Sequence, residues 1–252
     1  MGRIIGTSDS TRWYAKVMVL LFLGTMAGGF FGELYVPSKL IVAGDAAATA
    51  HNIQTSGFLF RLGFAGYLVE AICDIALAWM FYLLLRPVNR ELALLAAFFG
   101  LVSTATFASA ESFYLAVASI LGDSGSLGSF SPDQRHGLAM LSLKFYSTGA
   151  GVFMVFYGVA SAIRGYLIFR SGYLPAFVGT LFMIAGAGFI TRSFLLVLYP
   201  QAASEMLLAP MFPATLSLMA WLIVKGANVP EGQLMPDKAT LAAQATSSDN
   251  PA

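Results

Sequence analysis

Residues 58–85 read FLFRLGFAGYLVEAICDIALAWMFYLLL, and this stretch decides the fold. A helix that crosses a bilayer needs about 20 mostly apolar residues, and the run exceeds that with room for tilt. Near its midpoint stand Glu70 and Asp74. Four residues apart, they share one helical face, one turn above the other. An ionisable group at that depth costs about 2.5–3.5 kcal/mol on insertion scales, so such groups face protein or water and usually have a partner. The rest of the chain is read as what surrounds this pair.

The composition agrees with that reading. The 252 residues are 58% hydrophobic and 11% charged, with a mean hydropathy of +0.75, whereas a soluble domain carries about 25% charged residues. The fold class is therefore an all-α integral membrane protein, a single bundle without a large soluble domain. A net charge of +1 gives no field that points to nucleic acid. One cysteine, Cys73, excludes an internal disulfide and a cysteine-based metal cluster. His51 and His136 fall in loops, which argues against zinc and against haem held by paired transmembrane histidines. No metal or other cofactor is expected. Walker, dinucleotide-glycine and HExxH motifs are absent, as are the paired Asp-rich motifs of membrane prenyltransferases.

Six apolar segments emerge: Trp13–Val36, Phe58–Leu85, Glu91–Leu121, Leu141–Phe169, Leu174–Tyr199 and Glu205–Lys225. They divide the chain into a cytoplasmic N-terminus (1–12), a six-span membrane domain (13–225) and a disordered cytoplasmic tail (226–252). The first run is too long for a signal-peptide core and is read as a retained span; MGRIIG lacks Ser or Thr at position 6, so the myristoylation pattern fails. A short surface helix is expected after Gly44-Asp45, and Ser131 before Pro132 is a helix start. Arg3, Arg12, Lys16, Arg86, Arg90, Arg164, Arg170, Lys225 and Lys238 flank the spans on one side, against Lys39 and Arg135 on the other. The excess of basic residues places both termini in the cytoplasm.

Gly24, Gly28 and Gly32 repeat every four residues on the first span, a face that permits close helix approach and could receive a helix partner. Gly179, Gly186 and Gly188 thin the fifth span similarly, and Pro210 and Pro213 are expected to kink the sixth. The hairpin around LLLRPVNRELALLAAFFG resembles that around LIFRSGYLPAFVGTLFMIAG, with Arg86 matching Arg170. Short cytoplasmic turns commonly carry Arg, so this repeat decides little.

The run FRLGFAGYLVEAICDIALAWMFYLLLRPVNRELALLAAFFGLV, with GDAAATAHNI, FSPDQRHGLAML and GYLIFRSGYLP, resembles the bacterial integral-membrane family catalogued as domain of unknown function 4386. The resemblance covers about residues 13 to 225. It implies a six-span protein of the bacterial cytoplasmic membrane with no assigned activity and no catalytic residues to carry over. Cys73-Asp74 and the turn Arg86-Pro87-Val88-Asn89-Arg90 match the family pattern. Glu70, Gly100, Gly151 and Ala160 depart from it, because members often carry an apolar residue, Arg, Asp and His there. That departure implies a reworked interior.

With the termini inside, every intramembrane charge falls at mid-depth or in the outer half. Glu70 and Asp74 then form the floor of a polar funnel that opens outward. Ser103, Thr104, Thr106, Ser109, Ser112, Tyr146, Ser147, Thr148 and Thr191 lie at nearby heights. Arg192 is the expected counter-ion for one carboxylate, with Glu111 competing for it. Glu70, Asp74, Glu111 and Arg192 are the candidate catalytic residues, and Tyr67, Phe107, Tyr114 and Tyr146 the candidate substrate-binding ones. A buried carboxyl without a cation favours its neutral form, the form in which it acts as a general acid beside a second carboxylate. The expected function is cofactor-free isomerisation or cyclisation of, or binding to, a lipophilic, isoprenoid-like small molecule in contact with the bilayer. The alternatives are an accessory or assembly subunit of a membrane complex and a proton-coupled transporter. Charge pairs that only hold helices together would produce many of the same residues.

Overall fold

The computed structural model describes residues 9–122 and 127–226, and everything regular among them is helical. The expected N-terminal segment up to residue 8, residues 123–126 and the expected tail from residue 227 lie outside the described residues.

Six helical segments are long and apolar enough to cross a membrane: Arg12–Leu40, Gly57–Leu85, Arg90–Leu121, Pro132–Arg170, Ala176–Leu198 and Glu205–Lys225. The first span comprises α1 (Asp9–Gly29), a π-helical turn (Phe30–Tyr35) and α2 (Val36–Leu40). A short α3 (Ala46–Thr55) follows. Then come α4 (Gly57–Leu85), α5 (Arg90–Leu121), α6 (Pro132–Arg170), α7 (Ala176–Leu198) and α8 (Met211–Lys225). Sequential spans pack as neighbours, and α8 returns to α1, so the six spans close into an up-and-down ring.

The π turn has a covalent cause. Pro37 carries no N–H and its ring crowds the carbonyl four residues earlier. The helix widens there, and the Val36 N–H bonds to Phe31 O, five residues back. Gly32 O would accept from residue 37 in that register, and Pro37 has nothing to donate. Tyr67 supplies the missing donor, its hydroxyl bonding to Gly32 O at 2.8 Å.

Local capping sets the other ends. Asp45 caps α3 by accepting from Ala48 N at 2.8 Å, which is the surface helix expected from Gly44-Asp45. From α3, Asn52 Nδ2 donates to Leu40 O at 3.3 Å and Gln54 Nε2 to Leu121 O at 3.0 Å. One short helix thus satisfies carbonyls that two spans leave orphaned at their ends. Ser131 opens α6 with a reciprocal box to Gln134 and Pro132 in the first turn. This cap starts α6 nine residues before the apolar run at Leu141, because its polar first turns carry no hydropathy signal. At 39 residues and 1.5 Å per residue, α6 measures roughly 58 Å, against a hydrocarbon core of about 30 Å.

Two glycine-mediated seams bring backbones together. On the first, a Cβ at Gly28 would lie 2.6 Å from Gly66 O, and one at Gly24 2.6 Å from Cys73 Sγ. The Gly24, Gly28, Gly32 face is therefore covered by α4 of the same chain, not left open for an external helix. On the second, Gly158 and Gly165 of α6 meet Gly186 and Gly179 of α7, where added Cβ atoms would come within 2.5–2.7 Å of opposing carbonyl oxygens.

The sixth span differs from expectation. Pro210 and Pro213 do not bend one helix; the span breaks into a 3-10 turn (Glu205–Leu208) and α8, which begins at Met211. The turn packs so closely on α7 that a Cβ at Gly188 would meet Leu207 O.

Candidate functional site

The interior has two apolar cores with a polar layer between them. One core, on the side of the α4–α5 turn, includes Met18, Leu77, Leu84, Leu167, Val178 and Leu222. The other, beneath α3, includes Val36, Phe60, Tyr67, Phe107, Tyr114 and Val117. On α4 the second core ends at Tyr67 and the first begins at Leu77. Glu70 and Asp74 occupy the interval. The other helices fill the same interval with Thr25, Gly28 and Gly29 from α1, Gly100, Ser103 and Thr104 from α5, and Tyr157, Ser161 and Arg164 from α6.

Glu70 lies at the α1–α4 seam. A Cβ on Gly29 would sit 3.2 Å from both of its carboxyl oxygens, so the glycine makes room for the carboxyl. Oε2 is buried without a hydrogen-bond partner. Glu33, exposed on the outside of the bundle within the π turn, is an electrostatic neighbour of Glu70, as are Asp74 and Glu111. A π turn inside a span often marks a functional position. One turn along α4, Asp74 Oδ1 accepts from Thr25 Oγ1 at 3.0 Å. The two acids thus share a seam but have different partners.

The cation facing this layer is Arg164. It is 6% exposed, its Nε has no hydrogen-bond partner, and its guanidinium lies 4.7 Å from the centroid of the Phe81 ring. Asp74 and Tyr157 are its electrostatic partners across the layer. Its Nη2 occupies the space a side chain at position 100 would claim, 2.6 Å from where a Gly100 Cβ would stand. The half of the bundle toward the α4–α5 turn therefore contains a buried charge, where the sequence reading expected none. In sequence Arg164 resembles a residue flanking the helix end, and the space beside Gly100, 64 positions away, is what draws it inward.

Arg192 does not serve Glu70, Asp74 or Glu111. It pairs with Glu205 of the 3-10 turn, and its Nη1 contacts Met154 Sδ at 3.3 Å. The break at Pro210 places Glu205 against α7 and gives Arg192 this nearer partner.

The four candidate binding aromatics do come together. Tyr67 meets Phe107 edge-on at 5.9 Å, and Tyr67, Tyr114 and Tyr146 have mutual centroid distances of 5.4, 5.5 and 6.0 Å. At those separations the rings touch one another and leave no ligand-sized space between them. Because the Tyr67 proton goes to Gly32 O, Tyr146 donates to Tyr67 across 2.9 Å. Glu111 is buried within this group, 4% exposed, with neither carboxyl oxygen hydrogen-bonded. The Tyr114 hydroxyl is likewise unpartnered.

Several residues expected to line a funnel lie outside it. Ser109, Ser112 and Thr148 are exposed on the bundle exterior. They return their hydroxyls to carbonyls of their own helix, at Ala105, Ser109 and Lys144. A cavity of about 310 Å³ opens at the α3 end beside Gln54, Arg61 and Ala118. Its wall includes Phe60, which stacks on Tyr114 at 4.3 Å, so the tyrosine group separates this cavity from Glu70 and Asp74. Among the described residues no cluster of His, Cys, Asp and Glu is arranged to hold a metal ion.

A family model described as Domain of unknown function (DUF4386) matches residues 17–226. An uncharacterized protein from Archaeoglobus fulgidus is 28% identical over 166 residues, 66% of this chain and 85% of its own length. No solved structure matches the chain.

Proposed function

The chain belongs to the DUF4386 family, and we propose that it is a protein of the bacterial cytoplasmic membrane, both termini inside, whose mid-layer carboxyls exchange protons with a lipophilic molecule. The observation that carries this reading is the Glu70 carboxyl. It rests over Gly29 with one oxygen unpartnered, beside a π turn that carries Glu33 to the lipid-facing surface. A molecule dissolved in the bilayer would reach Glu70 sideways through that surface. Asp74, one turn away and bonded to Thr25, would be the second acid–base group. Protonation of a carbon–carbon double bond by one carboxyl, with loss of a proton to the other, is an isomerisation with no net change of atoms or electrons. An isoprenoid-like substrate fits that chemistry.

The test is infrared spectroscopy of the purified protein across pH, with and without a polyprenyl alcohol. Glu70→Gln and Asp74→Asn assign the carboxyl bands. A Glu70 band that moves on addition of the alcohol supports the site. Bands that ignore the alcohol, with both variants only less stable, leave the acids as structural groups and sink the reading.

A second reading, proton-coupled transport, gains from Arg164, the electrostatic partner of Asp74 in the half of the bundle toward the α4–α5 turn. Proton flux into dye-loaded vesicles that depends on Asp74 would favour it over isomerisation. The accessory-subunit reading loses its best support, because the glycine face that favoured it is occupied by α4.

A further inference from the structure

At the end of the bundle that carries the α4–α5 turn, two crevices flank Pro87. One, of about 440 Å³, is bounded by Asn89, Tyr166, Arg170 and Tyr173. The other, of about 330 Å³, is bounded by Tyr82, Arg86 and Arg90. Pro87 lines both. The turn LRPVNR of one hairpin and the turn RSGYLP of the next thus meet at this edge, each bringing arginine to its own crevice.

The polar groups around them are largely committed. Asn89 Oδ1 accepts from Leu92 N at 2.9 Å, the Tyr173 hydroxyl donates to Leu84 O, and Ser171 Oγ donates to Ile168 O at 2.7 Å. Arg86 is half-buried. Arg90 and Arg170 are exposed and enter no ion pair among the described residues, and the acid nearest to them in sequence is the exposed Glu91, so the edge is set up for an anion. Guanidinium groups bind phosphate bidentately, and arginine-lined crevices between transmembrane helices at the membrane boundary suit lipid head groups. Tyrosines are at home at that boundary. Beyond the crevices the flanks are apolar and exposed, with Trp79 and Leu94 on one side and Phe169 on the other, as acyl chains require. Arginines that only set topology need not line crevices; these line two separate ones on either side of one proline.

We propose that this edge binds a phospholipid whose head group bears two phosphates, one in each crevice, with Pro87 between them. Arg170 holds one phosphate and Arg90 the other. The acyl chains run along the exposed apolar flanks. This site is independent of the acids in the mid-layer.

The experiment is native mass spectrometry and thermal unfolding of the full chain in phosphatidylcholine-containing micelles, titrated with cardiolipin, phosphatidylglycerol or soluble fructose bisphosphate. One cardiolipin per chain should bind at least tenfold more tightly than phosphatidylglycerol and raise the unfolding midpoint. Arg90→Gln and Arg170→Gln, singly, should each weaken cardiolipin binding severalfold, whereas Arg61→Gln at the opposite end should leave it unchanged. Equal affinity for the two lipids overturns the two-phosphate site. Equal loss from Arg61→Gln, or none from the two crevice variants, reduces the effect to diffuse charge attraction and overturns it as well. Bisphosphate binding as tight as cardiolipin assigns the crevices to a soluble anion and overturns the lipid.

Discussion

The Tyr67 hydroxyl donates to Gly32 O, the carbonyl that Pro37 leaves without a backbone partner. A side chain on α4 thereby completes the hydrogen bonding of the first span, and the bond fixes which way the Tyr146 hydroxyl points. Tyr67→Phe leaves that carbonyl buried and unsatisfied, at a cost of about 1–3 kcal/mol. In a Pro37→Ala background the backbone regains a donor, and the same change should cost markedly less. The pair forms a double-mutant cycle read by detergent-state unfolding. Additive losses would mean that Pro37 does not create the need for Tyr67.

Arg164 fills the space beside Gly100. Gly100→Ala meets only the far end of a flexible side chain, so its cost should stay within about 1 kcal/mol. Gly100→Leu has no such relief and must displace the guanidinium from its place over Phe81. Its larger destabilisation should fall when combined with Arg164→Met, because no charge is then left without a seat. If the combination is as costly as the sum, the two residues do not share the space.

Much of this architecture is legible in the sequence. Hydropathy gives the six spans, Asp45 and Ser131 give their helix starts through short-range capping, and glycine spacing marks faces of close approach. These are local signals, each read within one helix. The charge partners were not legible, since they depend on contacts between helices. Arg192 meets Glu205 because the sixth span breaks at Pro210 and folds its first turn onto Gly188. Arg164 turns inward because α5 offers a glycine at the right height. The aromatic set Tyr67, Phe107, Tyr114 and Tyr146 was found together as expected, but pattern alone cannot say whether rings line a space or fill it. Residue types mark Glu70 and Asp74 as mid-span acids; packing chose their neighbours.

The α6–α7 seam should be the least tolerant of added bulk. A Cβ at Gly158 or Gly186 runs into an opposing backbone carbonyl at 2.7 or 2.5 Å, and backbone cannot rotate away. Gly186→Ala is expected to cost about 2–3 kcal/mol through separation of the helices. Gly137 lies exposed in the first turns of α6 with nothing within 4 Å. Gly137→Ala should therefore be neutral or stabilising by up to about 1 kcal/mol through helix propensity. Unfolding midpoints of the two variants settle the contrast, and similar losses for both would refute the seam.

Tyr173 lies in the turn between α6 and α7, outside the spans, and burial pushes its hydroxyl above the usual tyrosine range. Above pH about 10 the unfolded chain loses this proton while the folded one keeps it. The unfolded state then binds fewer protons, so stability falls as pH rises through that region and is unaffected below it. Tyr173→Phe should flatten part of the alkaline decline, at the cost of the bond to Leu84 O at all pH values. An unchanged alkaline slope would show that the hydroxyl is not shielded in the fold.

The Arg192–Glu205 pair is asymmetric, with side chains 10% and 75% exposed. Removing one partner of a fully buried pair costs about 3–5 kcal/mol, whereas an exposed pair is worth about 0–1 kcal/mol. Glu205→Gln strands a buried guanidinium but gives up a carboxylate that was mostly outside, so a loss of about 1–2 kcal/mol is expected. The attraction should also be screened, and stability of the native chain should fall between low and molar salt more than that of Glu205→Gln. Gly188→Ala supplies an independent handle: its Cβ would collide with Leu207 O, push the 3-10 turn off α7 and separate the pair without touching either charge. Adding Glu205→Gln to Gly188→Ala should then cost little further. If the salt dependence is the same with and without Glu205, or if the two changes are fully additive, the pair does not hold the turn and the break at Pro210 alone shapes it.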